Sequence, residues 1–218
     1  MKLLVFDTET TGLPKSRNAP IHSTELWPHV IQLSYILYDT EQNTLSVMCD
    51  RIIRVDDNVI ISDESTKIHG ITKTMCIEKG IPILDALHEF QEAFKQCDVV
   101  IAHNIEFDKN MLKVEQHRNP TKKPFWYNPE QSPVEHCTMK SNKKLCNIIA
   151  IGRLGDNYIK FPTLSELYKH LFNTTPNNTH NAFVDILICL RCYYHITYKE
   201  DLCFISNPFK KLFKQHKV

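Results

Sequence analysis

Residues 5–13, Val-Phe-Asp-Thr-Glu-Thr-Thr-Gly-Leu, form an apolar run that stops on two carboxylates one residue apart, Asp7 and Glu9. Side chains at i and i+2 of a strand share a face. Any fold built on this strand must therefore accept two like charges in one small volume. A cation relieves that repulsion, and oxygen donors suit a hard divalent one. A solvated strand end with an Asp-Thr turn would also tolerate the pair. The choice between the two depends on whether further acids are brought to the same place.

The rest of the chain supplies the frame. Residues 2–7, 30–38 and 45–55 are β-favouring runs, the second and third joined by the turn-rich Asp39-Thr-Glu-Gln-Asn43, which predicts an antiparallel meander. Over 82–96 the period changes: Ile83, Leu84, Leu87, Phe90 and Phe94 fall at helical spacing. The almost continuously apolar 98–103 reads as a buried strand, and Phe107, Met111, Leu112 and Val114 predict a helix after it. Residues 118–134, with Pro120, Pro124, Pro129 and Pro133, read as an irregular, mobile insertion. A short strand at 134–137 and helices near 138–147, 163–172 and 181–197 complete an α/β layer domain over 1–207, with a basic C-terminal tail at 208–218.

At 218 residues and 42% hydrophobic the chain can bury one full core. It contains no apolar run near 18 residues, and Met1–Phe6 is too short, and too soon followed by acids, for a signal peptide. The expectation is a protein that is neither secreted nor membrane-bound, in the cytoplasm or another reducing compartment. The eight cysteines lie scattered through predicted strands and helices and read as free thiols. The glycosylation sequons at Asn173 and Asn177 carry no weight without secretion. A net charge of +1 excludes a polycation that coats nucleic acid indiscriminately. Basic residues gather locally at 113–123 (Lys113, His117, Arg118, Lys122, Lys123), at Lys140, Lys143 and Lys144, and at Lys210, Lys211, Lys214 and Lys217. Each cluster taken alone is an ordinary solvated face.

Two further segments bring acids to element ends. His103-Asn-Ile-Glu-Phe-Asp108 follows the apolar strand at its carboxyl end, where open α/β sheets place ligands, and puts Asp108 in the first turn of the next helix with Asn104 as its cap. His180-Asn-Ala-Phe-Val-Asp185 opens the last long helix. Asp185 sits between Val184 and Ile186, an expensive place for a carboxylate without a metal or partner, and His180 at the helix mouth is a candidate base.

With these three segments in this order, the chain resembles the DEDDh-type 3′→5′ exonucleases, the DnaQ-like branch of the ribonuclease H-like superfamily. The matching stretches are Phe6–Leu13, His103–Asp108 and His180–Asp185, with Ile68-His-Gly-Ile-Thr72 resembling a stretch between the first two. Phe161–Phe172 is similar in style to virus-encoded members. The resemblance implies an α/β fold, a ribonuclease H-like mixed sheet of antiparallel meander plus parallel strands flanked by helices. It implies two divalent ions, Mg²⁺ or Mn²⁺, ligated by Asp7, Glu9 and Asp185, with Asp108 holding metal-bound water or completing the ligands of the second ion, and His180 as general base. Thr10, Leu13, His103, Asn104 and Phe107 are the implied substrate contacts. The implied reaction releases nucleoside 5′-monophosphates from the 3′ end of DNA, single-stranded or duplex.

Three alternatives stand beside it. An exoribonuclease would act on RNA ends or short RNA. A catalytically silent nucleic-acid-binding subunit would keep the fold without the reaction. A zinc adaptor would use Cys189, Cys192 and His195, or His136, Cys137 and Cys146, although structural zinc wants four well-placed ligands. The chain carries no polymerase module, so proofreading would require a polymerase or replication partner in trans.

Overall fold

In the computed structural model, which describes residues 1–16, 18–120, 125–126 and 132–218, β1 (Lys2–Thr10) is the middle strand of a five-stranded sheet. The order is β3-β2-β1-β4-β5. β2 (Val30–Asp39) and β3 (Thr44–Ile52) form the antiparallel meander. β4 (Val99–Ala102) and β5 (Val134–Cys137) add in parallel on the other side. The expected mixed sheet is present, and β1 is longer than its apolar run: Asp7 and Glu9 lie inside the ladder, opposite Ser34 and Gln32.

Alternation along β1 divides the core. Leu4 and Phe6 face a layer made by α3 (Ile83–Phe94) and α4 (Ile105–Arg118), while Leu3 and Val5 face α7 (Leu164–Phe172) and α8 (Ala182–Tyr198). Because both faces are covered, the first nine residues of β2 are buried, and it reads as a continuous apolar run rather than an alternating one. By the same period, Asp7 and Glu9 continue the Leu3–Val5 face and point to the α8 side. Thr8 continues the Leu4–Phe6 face and points to the α4 side.

Several elements depart from the sequence expectation. Two short helices, α1 (Asp63–His69) and α2 (Lys73–Lys79), follow β3, and α2 buries Cys76 beside Ile31; each is a two-turn element too short for periodicity to mark, though Ser62 and Thr72 cap them by accepting from Ser65 N and Met75 N. The single helix expected at 138–147 is two turns, α5 (Thr138–Ser141) and α6 (Lys143–Cys146). Asn142 breaks it and bonds back from its side-chain amide to Thr138 O at 2.8 Å. A small ribbon of β6 (Ile149–Ile151) and β7 (Asn157–Ile159) follows.

The expected tail is structured. After α9 (Leu202–Ile205), α10 (Asn207–Gln215) buries Phe209 and Phe213 in the α8 layer and leaves its lysines outside. Spacing of i, i+4 puts both rings on one face, a pattern obscured by the surrounding Lys residues. Part of the proline-bearing insertion is anchored as well: Phe125 and Trp126 are buried in an aromatic cluster with Phe6, Phe90 and Phe94. The rest of that predicted loop, 121–124 and 127–131, lies outside the described residues. The eight cysteines are free, and Cys189 and Cys192 are buried in the α8 core rather than arranged as ligands. Among the described residues no helix is long and apolar enough to cross a membrane.

Candidate active site

The face of β1 and β2 that is apolar at Leu3, Val5, Ile36 and Tyr38 turns polar at its far end, where Asp7, Glu9, Gln32 and Ser34 adjoin. Asp50 on β3 holds this floor in place by accepting from Gln32 Nε2 and Ser34 Oγ, both at 2.7 Å. Gln32 then uses its carbonyl oxygen to accept from Ala182 N at 3.3 Å, docking the start of α8 on the floor. Asn181 caps the same helix by accepting from Phe183 N and Val184 N at 3.1 and 3.2 Å. Asp185, one turn in, is thereby delivered to the two β1 acids.

Asp7, Glu9 and Asp185 each offer one oxygen, all within 4.8 Å of one another. Among the described residues they are the one grouping of His, Cys, Asp and Glu with the spacing to hold a metal ion. Asp185 Oδ2 accepts from His180 N at 3.1 Å, while its Oδ1 is buried without a partner. An orphaned buried carboxylate oxygen beside two more acids is costly unless a cation completes it. Burial, followed by the charges of Asp108, Asp185 and Glu9, holds the Asp7 carboxyl well above the usual range. Glu9 is pushed up to about 8 by burial and by Asp185 and Asp108. Asp185 is raised chiefly by burial, against the pull of the His180 N–H. The donor set is all oxygen and over-charged, the set a hard divalent ion requires.

Asp108 approaches from the opposite layer. It is 3% exposed, and its Oδ1 accepts from Thr8 N at 3.1 Å and from Thr8 Oγ1 at 2.7 Å. Burial raises its carboxyl while those two bonds oppose the rise. The fourth acid, Asp108, is therefore fixed by the Thr between the two β1 acids, and sequence reasoning did not find this role of Thr8. The signal was its position: the residue between two same-face side chains must point to the other face.

The other expected site residues fall into two groups. Leu13 is 83% exposed and, with Trp27, Asn104, Glu106, Phe107 and Asn110, lines a cleft of about 400 Å³. Thr10 is buried and donates to Gly12 O at 2.7 Å, so it shapes the turn before Leu13. His103 is not presented to the cleft by a free ring nitrogen. Its Nδ1 lies 3.0 Å from Thr138 Oγ1 and its Nε2 3.1 Å from Pro162 O. A carbonyl can only accept, which assigns the proton to Nε2, and burial lowers the ring's pKa to about 4. His103 is a neutral strut. His180 is exposed, in a left-handed conformation (φ 68°), with its backbone tied to Asp185.

Trp27, missed in the sequence, is held by Arg118, which donates to Thr24 O and Trp27 O at 2.6 Å and to Pro28 O at 2.8 Å. Arg118 also pairs with the buried Glu115 at 2.7 Å. It braces the backbone of the segment that carries Trp27 and is not part of a solvated basic cluster.

Residues 4–193 match the exonuclease family RNase_T. The chain belongs to that family. Its mixed sheet flanked by helices is a ribonuclease H-like exonuclease fold. Its fold is shared with E. coli exonuclease I in complex with a dT13 oligonucleotide, at a TM-score of 0.67 and 15% identity over 98% of this chain and 43% of that one. Exonuclease I from Methylocaldum szegediense superposes with a TM-score of 0.64 and 16% identity over 93% of this chain and 42% of that one. At these identities the likeness establishes the fold. An alignment of 102 positions, covering 38% of this chain, is 29% identical to the PolC-type DNA polymerase III of Mycoplasmopsis pulmonis, of which it covers 7%. The chain thus spans less than half of the exonuclease I chains and a small part of the polymerase.

Proposed function

We propose that this exonuclease removes nucleotides from the 3′ end of a DNA strand and releases nucleoside 5′-monophosphates. The observation that carries the reading is the unpartnered Asp185 Oδ1 set against Asp7 and Glu9. Asp7, Glu9 and Asp185 would hold one divalent ion, Mg²⁺ or Mn²⁺, with Asp108 serving a second. Bound there, the metal would polarise the scissile phosphate and offset charge on the departing 3′-oxygen.

The remaining roles belong to the chain. His180, exposed at the mouth of α8, takes the proton from the attacking water; an imidazole suits this near neutral pH. The bond from its own N–H to Asp185 keeps the loop beside the acids. The cleft beside Leu13 receives the terminal nucleotide, its base against Leu13, Phe107 and Trp27 and its sugar and phosphate near Asn104 and Asn110. Apolar and aromatic walls stack on any base, so little sequence preference is expected. The preference for DNA follows the dT13-bound exonuclease I and the polymerase relative. The presence of all four acids and of His180 argues against a silent subunit.

The test is a time course on 5′-labelled single-stranded DNA and RNA of one sequence, with Mg²⁺, Mn²⁺ or chelator, beside Asp7→Ala. A metal-dependent ladder shrinking from the 3′ end of DNA, absent in the variant, is expected. Products shortened from the 5′ end, or equal activity in the variant, would end the proposal. Faster loss of the RNA would move the substrate class to RNA.

A further inference from the structure

The ribbon β6–β7 stands apart from the main sheet, with Ile149 opposite Ile159 and Ile151 opposite Asn157. It covers little of itself: Ile149 is 65%, Ile151 75% and Leu154, at its tip, 96% exposed. An isolated two-stranded ribbon is marginal in water, and clustered exposed apolar groups mark a binding surface. Its charge says what kind. Residues 138–161 hold five Lys or Arg (Lys140, Lys143, Lys144, Arg153, Lys160) against Asp156 alone, in a chain whose net charge is +1. The rest of the molecule is therefore net negative, and the ribbon segment is one of its basic regions, beside the lysines of α10. Aromatic faces accompany the cations: Tyr158 and Phe161 are both exposed, and Lys143 Nζ lies 4.7 Å from the Phe161 ring centroid.

This segment is also tied at both ends to a residue that adjoins the cleft. Thr138 and Pro162, which bracket it, grip the two nitrogens of His103, the residue before Asn104. Lys140 pairs with Glu106, which lines the cleft. Basic charge, exposed aromatics and continuity with the site are the features of a single-strand track.

We propose that the β6–β7 ribbon, with Lys143, Lys144, Arg153, Tyr158 and Phe161, binds the single-stranded nucleic acid that lies 5′ of the reacting nucleotide. Phosphates meet the cations and bases lie on the aromatic and isoleucine faces. The assignment rests on the exonuclease reading of the neighbouring acids.

The test measures binding and turnover separately. Fluorescence anisotropy in EDTA follows a labelled single strand of about twenty nucleotides, at low and physiological salt, for the wild type, Lys144→Glu/Arg153→Glu and Tyr158→Ala/Phe161→Ala. Turnover of the p-nitrophenyl ester of thymidine 5′-monophosphate in Mn²⁺ reports the cleft alone, since that molecule is too short to reach the ribbon. The charge reversal should weaken the oligonucleotide by roughly tenfold or more and lower the log–log salt slope by about 1.4, the value for two phosphate contacts on a single strand. The aromatic variant should weaken it with the salt slope kept. Neither should show a matching loss on the ester. Unchanged oligonucleotide affinity, or equal losses on both substrates, would overturn the proposal. So would a dimer that Ile151→Asp dissolves with oligonucleotide affinity intact, since the apolar face would then serve a second copy. If the wild type turns over no substrate, the exonuclease reading fails, while the EDTA binding still decides the ribbon.

Discussion

Replacing Asp7 with Asn should make the metal-free protein more stable and inactive. Asp7 faces Glu9, Asp108 and Asp185, and among the described residues no donor satisfies its carboxylate. Acids whose folded-state pKa is raised keep protons that the unfolded chain has already released. The metal-free fold is therefore favoured near pH 4 and loses stability as the pH rises towards Glu9's value of about 8. For Glu9 alone, a rise from 4.5 to about 8 corresponds to roughly 5 kcal/mol as an upper bound. Water entering the cleft and movement of the carboxylates reduce this, and neutralising one acid should return about 1–3 kcal/mol. In a chain of this size that is a rise of roughly 2–12 °C in Tm. Thermal melts in EDTA near pH 5.5 and pH 8, and near pH 8 with millimolar Mn²⁺, check it. The wild type should melt lower at the higher pH, the variant should lose the part of that difference that Asp7 contributes, and Mn²⁺ should raise the wild type alone. A variant that melts below the wild type in EDTA near pH 8 would refute the reasoning, because the carboxylate would then be supporting the fold.

His180→Ala should slow turnover by something like 10²–10⁴ with Mn²⁺ affinity by calorimetry unchanged; lost affinity would make the histidine a ligand. Thr8→Val removes the hydroxyl that holds Asp108 and should cost about 1–3 kcal/mol together with a fall in activity. Thr8→Ser should restore both, and full activity in the valine variant would show that Asp108 needs no such hold. Phe209→Ala should destabilise by about 3–5 kcal/mol in a denaturant titration, whereas a loose tail would give no change.

The acids were legible because their cost stands out: Asp7 and Glu9 share a strand face, and Asp185 interrupts an apolar helix. Their supports were not. Thr8, Gln32 and Thr138 act through bonds to residues 100, 150 and 35 positions away, and no local pattern announces such pairs. The long strands and helices were readable from period, whereas α1, α2 and the three-residue strands of the ribbon are shorter than the windows in which period can be seen. His103 was read as a substrate contact on its place in the motif; its ring is instead consumed by Thr138 and Pro162. The C-terminal helix was hidden by its own lysines.

β1, the middle strand of the sheet, carries Asp7 and Glu9, while His180 sits on an exposed turn with a left-handed backbone. In hydrogen-exchange terms, the acids belong to the unit that opens last and the base to one that opens first. Mild heating should therefore disable the proton acceptor while the carboxylate nest persists, leaving a protein that still captures divalent ions after it has stopped cutting.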